Sequence, residues 1–167
     1  TASKDGEVKF WKKTHLHQVQ FVKEFKAHVQ PIYSLACSLD GKLLCSCSPF
    51  DHTIKLFDVL SFDMINVFKF DGEKIDGEKL DEKFDENEKK SFRPYLLEFL
   101  VQKQGSARKP LLVVCDITTN EIRIYDISDR DIVDINAPMY TYTSIHSSLN
   151  GNRILHLRYN EEMDAMI

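Results

Sequence analysis

Two histidines, His28 and His146, each stand before a short apolar run, IYSLACS (32–38) and RILHLRY (153–159). A histidine in such a place can ligate a metal, move a proton or relay a hydrogen bond. A metal role needs convergent ligands, and none stands at ligand spacing from either histidine. A hydrogen bond to a nearby hydroxyl is the reading adopted for His28. His15 and His17 share a strand-like i, i+2 spacing in a loop, where solvent is the main partner expected. Cys45-x-Cys47 brings two thiols close in sequence. Structural zinc sites use a wider first gap and a second ligand pair, whereas a strand turns i and i+2 to one side. Two small buried residues of one strand face are therefore expected. The acidic residues Asp71, Asp76 and Asp81 recur every five positions, which does not match the alternate spacing of a calcium loop. No nucleophile elbow, zinc-protease, dinucleotide or P-loop motif occurs. Catalytic, cofactor and metal residues are all expected to be absent. Lys9, Lys12, Lys13 and Lys23 form a local basic cluster. A solvated strand face is one reading of it, and contact with an RNA backbone is the other.

These residues lie in a chain of 167 residues with a formal net charge of −4 and 43% hydrophobic side chains. Those values exclude disorder throughout and allow a sizeable core. No apolar run reaches the roughly 20 residues that a membrane helix needs, so no membrane partner is expected. The charge is not spread evenly. Residues 71–90 hold nine acidic and five basic side chains, which is the whole net charge. The four cysteines, Cys37, Cys45, Cys47 and Cys115, are too sparse for a disulfide framework and favour a reducing compartment.

The positioning elements read as strands. Short runs rich in β-branched and aromatic residues alternate with turn signals such as KDG (4–6), LDG (39–41) and TTN (118–120). Three segments align: DGEVKFWKK from Asp5, DHTIKLFDV from Asp51 and TNEIRIYDI from Thr119. Trp11, Phe57 and Tyr125 fall in register. Their spacings are 46 and 68, and the excess of 22 is close to the length of the acidic stretch. Each repeat has four strand-like runs in the same order, the period of a β-propeller blade.

At this level the chain resembles the WD40 repeats. Ala27-His28 and Ile145-His146 stand for that family's Gly-His pair. Trp11-Lys12, Phe57-Asp58 and Tyr125-Asp126 stand for its Trp-Asp pair. The resemblance implies a buried chain of His, Ser/Thr, turn Asp and Trp that fastens each blade. Asp5 and Trp11 match two of its positions. His28 and Asp51 match two others, with Ser46 or Ser48 as the hydroxyl. Phe57 and Tyr125 replace Trp, and Thr119 replaces the turn Asp. VKFWKK (8–13) and the FDV…FDMIN strings (57–66) narrow the resemblance to WD40 proteins fused to a cyclophilin-type prolyl isomerase, with the match strong over 1–70 and weak over 94–167.

The fold expected is all-β: a WD40-like β-propeller, present as an incomplete arc of about three to four blades. Residues 1–26 would be the tail of one blade and 27–70 a full blade. A charged insertion follows at 71–93, then a blade at 94–145, and 146–167 starts the next. The rest of a propeller, or another chain, would be needed to cover the open edges. The function expected is a protein-interaction scaffold. The resemblance implies a nuclear setting with splicing factors as partners. No F-H-R-like string occurs, so the chain is expected not to be an enzyme, its isomerase domain being separate and absent. The alternatives are an isomerase by virtue of the parent protein, or RNA binding through the lysine cluster. Trp11 is read as a blade-packing aromatic near the surface, with a partner hot spot as its alternative.

Overall fold

A computed structural model of the chain describes residues 1–70, 91–104, 107–119, 121–129, 133–143, 154–160 and 165–166. The described residues are all-β, with no helix. The charged stretch 71–90 and His146 lie outside them. Strands β1 (Glu7–Lys13) and β2 (Val19–Lys26) form a two-stranded antiparallel sheet. Strands β3 (Ser34–Cys37), β4 (Leu43–Ser48), β5 (Thr53–Asp58) and β6 (Asp63–Lys69) form a four-stranded meander in chain order. A second meander holds β7 (Pro94–Gln104), β8 (Ala107–Asp116), β9 (Ile122–Asp126) and β10 (Tyr140–Tyr142). A final pair joins β11 (Tyr159–Asn160) to β12 (Ala165–Met166). The fold is a WD40-like propeller arc of stacked sheets.

The repeats coincide in detail. The β1–β2 ladder shifts register between Phe10 and Trp11, and β5–β6 shifts between Leu56 and Phe57. Both bulges fall at the same place in the aligned segments, and a bulge sharpens local twist. The turn residues Gly6 and His52 share a left-handed backbone, with φ of 84° and 54°. Gly6 O accepts the His28 N–H at 3.0 Å, and His52 O accepts the Phe70 N–H at 2.9 Å. A side chain at Gly6 has no room, since a Cβ there would sit 2.0 Å from His28 O. Gly6→Ala is therefore expected to cost about 1–3 kcal/mol. Chemical denaturation checks this, and an unchanged midpoint would contradict the turn geometry.

The sheets stack through apolar faces. Every residue of β4 is buried, because it is central in its sheet and covered on both sides. One face joins Leu44 and Phe57 to Val8, Phe10 and Ala27 of the first sheet region. The other joins Cys45, Cys47, Ile54, Leu56 and Phe68 to Leu97, Phe99, Leu112 and Tyr125. Cys45 and Cys47 thus share one buried strand face, while Cys115 lies in a separate cluster with Ile122 and Ile124. Burial raises the pKa of all three thiols, Cys115 to about 12. Only Cys37 is exposed. A thiol reagent should modify that cysteine in the native protein and the other three only on unfolding. Rapid native labelling of more than one thiol would contradict this packing.

The last segment departs from expectation. RILHLRY was read as an inner strand over 153–159, yet residues 154–158 carry no strand and pairing begins only at Tyr159. The segment is tied to β7 by single bonds rather than by a ladder. Tyr95 Oη donates to Ile154 O, Tyr159 Oη donates to Val101 O at 3.0 Å, and Tyr159 N donates to Glu98 Oε1 at 3.3 Å.

The two ends that flank the charged stretch meet. The rings of Phe70 and Phe92 lie 4.9 Å apart, and the Arg123 guanidinium sits 4.1 Å from the Phe92 centroid. Arg93 N donates to Asp116 Oδ1 at 3.2 Å. Since loop-closure entropy varies slowly with length, replacing 71–90 by a short Gly-Ser linker should change stability by less than about 1 kcal/mol. Loss of a cooperative thermal transition would refute this.

Candidate functional site

The polar centre of the β3–β6 blade is built on His28, which enters between the first two sheets. The segment after β2 closes on the Gly6 turn, and this aims the imidazole at β4 and the β4–β5 turn. A carboxylate only accepts, so Nδ1 carries the proton and donates to Asp51 Oδ2 at 3.0 Å. Nε2 then accepts the Ser46 hydroxyl at 2.9 Å. Thr53 Oγ1 donates to Asp51 Oδ1 at 2.7 Å and lies 3.1 Å from His28 Nδ1. Asp51 also caps its own turn by accepting Thr53 N at 3.2 Å. His28, Ser46 and Thr53 are buried. Burial pushes the Asp51 carboxyl up, but hydrogen bonds from His28 and Thr53, with the charge of Lys55, hold it below its ordinary value.

Of the two hydroxyls weighed from sequence, Ser46 makes this bond, while Ser48 Oγ is buried without a partner. Thr53 was missed. Its signal was available, since a Thr two residues after a turn Asp is well placed to bond the carboxylate. Phe57 stands next to the network without an N–H to extend it. It is fully buried, with its ring 5.7 Å from Phe10 and 5.4 Å from Phe25.

The blades differ in how they fill the equivalent places. In the β7–β10 blade the register puts Val114 where Ser46 stands and Asp116 where Ser48 stands. Phe70 holds the position of His28 and packs toward Tyr125 at 6.3 Å. Polar fastening passes to the buried Asp116, which accepts Arg93 N, Thr118 N and the hydroxyls of Thr118 and Thr119. The sequence signal was an Asp closing an apolar strand before Thr-Thr. Tyr125 Oη donates to Ile135 O at 3.2 Å.

At the first sheet, Asp5 accepts the Ser3 hydroxyl and Glu7 N. Trp11 is 46% exposed, lies edge-on to Phe21 at 5.6 Å, and donates from Nε1 to Thr1 Oγ1 at 3.0 Å. Its register equals that of Phe57, but among the described residues no sheet covers its face. Asp58 caps the turn after β5 through Leu60 N and Ser61 N. Asp126 does the same through Ser128 N and pairs with Lys109 at 2.8 Å. Of the basic cluster, Lys9 pairs with Glu7 and Glu24, and Lys23 pairs with Asp63 at 2.5 Å. Lys12 and Lys13 are exposed, as are His15 and His17. The described residues contain no group of His, Cys, Asp and Glu able to hold a metal. A shallow cleft of about 150 Å³ opens beside Tyr125, Asp134 and Met139.

Comparison with known proteins agrees with this geometry. Residues 19–58 match the family described as WD domain, G-beta repeat. The human and mouse proteins called Peptidylprolyl isomerase domain and WD repeat-containing protein 1 are each 51% identical over 69 residues, covering 41% of this chain and 10% of theirs. Peptidyl-prolyl cis-trans isomerase CYP71 of Arabidopsis thaliana is 30% identical over 100% of this chain and 21% of its own length. Peptidyl-prolyl cis-trans isomerase cyp15 of Rhizopus delemar is 44% identical over 88% of this chain and 19% of its own. The chain thus spans about a fifth or less of these relatives.

The match to the Peptidylprolyl isomerase domain and WD repeat-containing proteins extends over 69 residues, in keeping with a resemblance strong over 1–70, and one expectation is corrected here. The chain was expected to stand apart from the enzyme. That is overturned, because proteins named as peptidyl-prolyl cis-trans isomerases match 100% and 88% of it. That expectation had rested on the aligned repeats and on the absence of an F-H-R-like string and of other catalytic motifs. The chain carries a WD40 repeat at 19–58 within a WD40-like propeller arc, and it is similar to the Peptidylprolyl isomerase domain and WD repeat-containing proteins.

Proposed function

We propose that the chain serves as a protein-interaction scaffold within a protein of the peptidyl-prolyl isomerase and WD-repeat type. The observation that carries this reading is the pair of four-stranded blades, the first of which overlaps the WD40 match at 19–58. Such repeats present rigid, connected loops for partners to read. The earlier resemblance supports a nuclear setting with splicing factors as partners. Affinity capture with the tagged chain, paired with imaging of the same tag, tests both parts. Reproducible retention of splicing proteins and nuclear signal are the expected results. Retention of none by the folded wild-type chain would reject the scaffold.

A second reading is prolyl isomerisation by the chain itself, favoured by the alignments with named isomerases. Uncatalysed X-Pro isomerisation takes tens of seconds or longer, so a protease-coupled assay resolves catalysis readily. A rate that rises with chain concentration supports this reading, and a rate equal to the buffer blank rejects it.

A further inference from the structure

His52 touches both the end of one four-stranded blade and the start of the next. It stands in the β4–β5 turn with φ of 54°, at the position that Gly6 holds in the first repeat. A left-handed backbone is costly for a residue with a Cβ, and such strain often accompanies a role for the side chain. The His52 carbonyl accepts the Phe70 N–H at 2.9 Å, where the chain leaves β6. Its ring bonds the main chain of Phe92, just ahead of β7. That bond favours the protonated ring, so the ring donates and the Phe92 carbonyl accepts. The donor is Nε2, because Nδ1 is buried and has no partner among the described residues. The ring is therefore neutral, with a bare lone pair enclosed in protein.

A second proton has no place on this ring. It would make Nδ1 a buried, charged donor without an acceptor, which costs more than the bare lone pair. The charges around the ring pull both ways. Arg93, ahead of β7, opposes a second positive charge, while Asp51 in the same turn and Asp116 at the end of β8 favour it. Both carboxylates are already engaged, Asp51 by His28 and Thr53, and Asp116 by Arg93 N, Thr118 and Thr119. Lys69 on β6 stands opposite Thr53 in the ladder, beside the same turn. Burial and Arg93 prevail, and they hold the ring below the ordinary histidine value of 6.5.

We propose that His52 is a pH-sensitive fastener of the seam between the two blades: neutral, it links the β4–β5 turn to Phe92, and protonated, it lets go. The charged ring must reach water to solvate its second N–H, and the Phe92 bond is lost with that move. The unfolded chain takes up the proton first, near 6.5. The contribution of His52 is therefore complete above that value and is lost as pH falls through the lower folded value. This device goes beyond the scaffold reading and does not depend on it.

Amide hydrogen exchange on the full chain, corrected for the intrinsic effect of pH, reads the seam directly. The Arg93 N–H bonds Asp116, and the Ile117 N–H bonds the Arg93 carbonyl at 3.0 Å, so both amides lie beside the fastener. Relative to Leu56 and Val113 in the central ladders, their protection should fall severalfold from about pH 8 to about pH 5. His52→Asn keeps the carbonyl that Phe70 uses and tolerates the left-handed backbone, but it cannot titrate. In that variant the relative protection should not change with pH. His17→Asn makes the same substitution at an exposed residue with φ of 58°, and it should keep the wild-type fall. A wild type without the fall, or a fall of equal size in His52→Asn, overturns the inference. If His52→Asn does not fold, the His52 ring resonance of the wild type decides: titration at or above 6.5 overturns the inference, and titration below it, in step with the loss of protection, supports it.

Discussion

His28→Ala is expected to lower the unfolding free energy by about 3–5 kcal/mol. The loss does not come from packing alone. The imidazole is buried and bonded at both nitrogens, to Asp51 and to Ser46. Removing it leaves a mostly buried carboxylate with only its Thr53 bonds and a buried hydroxyl with no acceptor. An unpartnered buried polar group keeps its full desolvation cost. Urea unfolding measures the difference, and a change below about 1 kcal/mol would mean that the network adds little. The pH profile offers a second reading. The folded pKa of Asp51 lies below its unfolded value, near 3.8. Its contribution is therefore complete above that value and is lost as pH falls through the lower folded value. The wild type should lose this increment on acidification, and Asp51→Asn should show a flatter acid limb.

Phe57→Ala should cost a comparable amount, about 3–5 kcal/mol, for a different reason. Phe57 is fully buried where the first sheet meets the β3–β6 blade, against Phe10, Phe25, Val8 and Leu44. The stacked sheets cannot collapse into the space without disturbing both ladders, so a cavity remains. Trp11→Ala is the matched control, because the same register position is half exposed there. It should cost under about 1.5 kcal/mol. If both variants lose the same stability, the face beside Trp11 is covered in solution and the comparison fails.

Much of the fold could be read from residues because both signals are local. Alternating apolar residues and turn chemistry set β1, β4, β5 and β9 within a few residues. The aligned aromatics Trp11, Phe57 and Tyr125 marked a register that the two equivalent bulges share. The polar network was less accessible. His28 and Asp51 stand 23 residues apart, and Ser46 and Ser48 share one side of β4, so the choice between them depends on where along the strand the histidine reaches it. Asp116 was missed because its partners lie in two segments, and no repeat position called for an acid there. RILHLRY misled for the opposite reason. Its alternation is strand-like, but a strand exists only where a ladder partner is available.

The meander order of each blade also bears on how the chain acquires its shape during synthesis. Strands β3 to β6 pair only with sequence neighbours, so each hairpin can close as soon as its second strand leaves the ribosome. His28 emerges before the sheet that it fastens and must wait for Asp51. The network can therefore close only once Ser46 and Asp51 have followed His28. A chain slowed between β4 and β5 would hold the open edge of β4, with its buried cysteines, exposed for that interval.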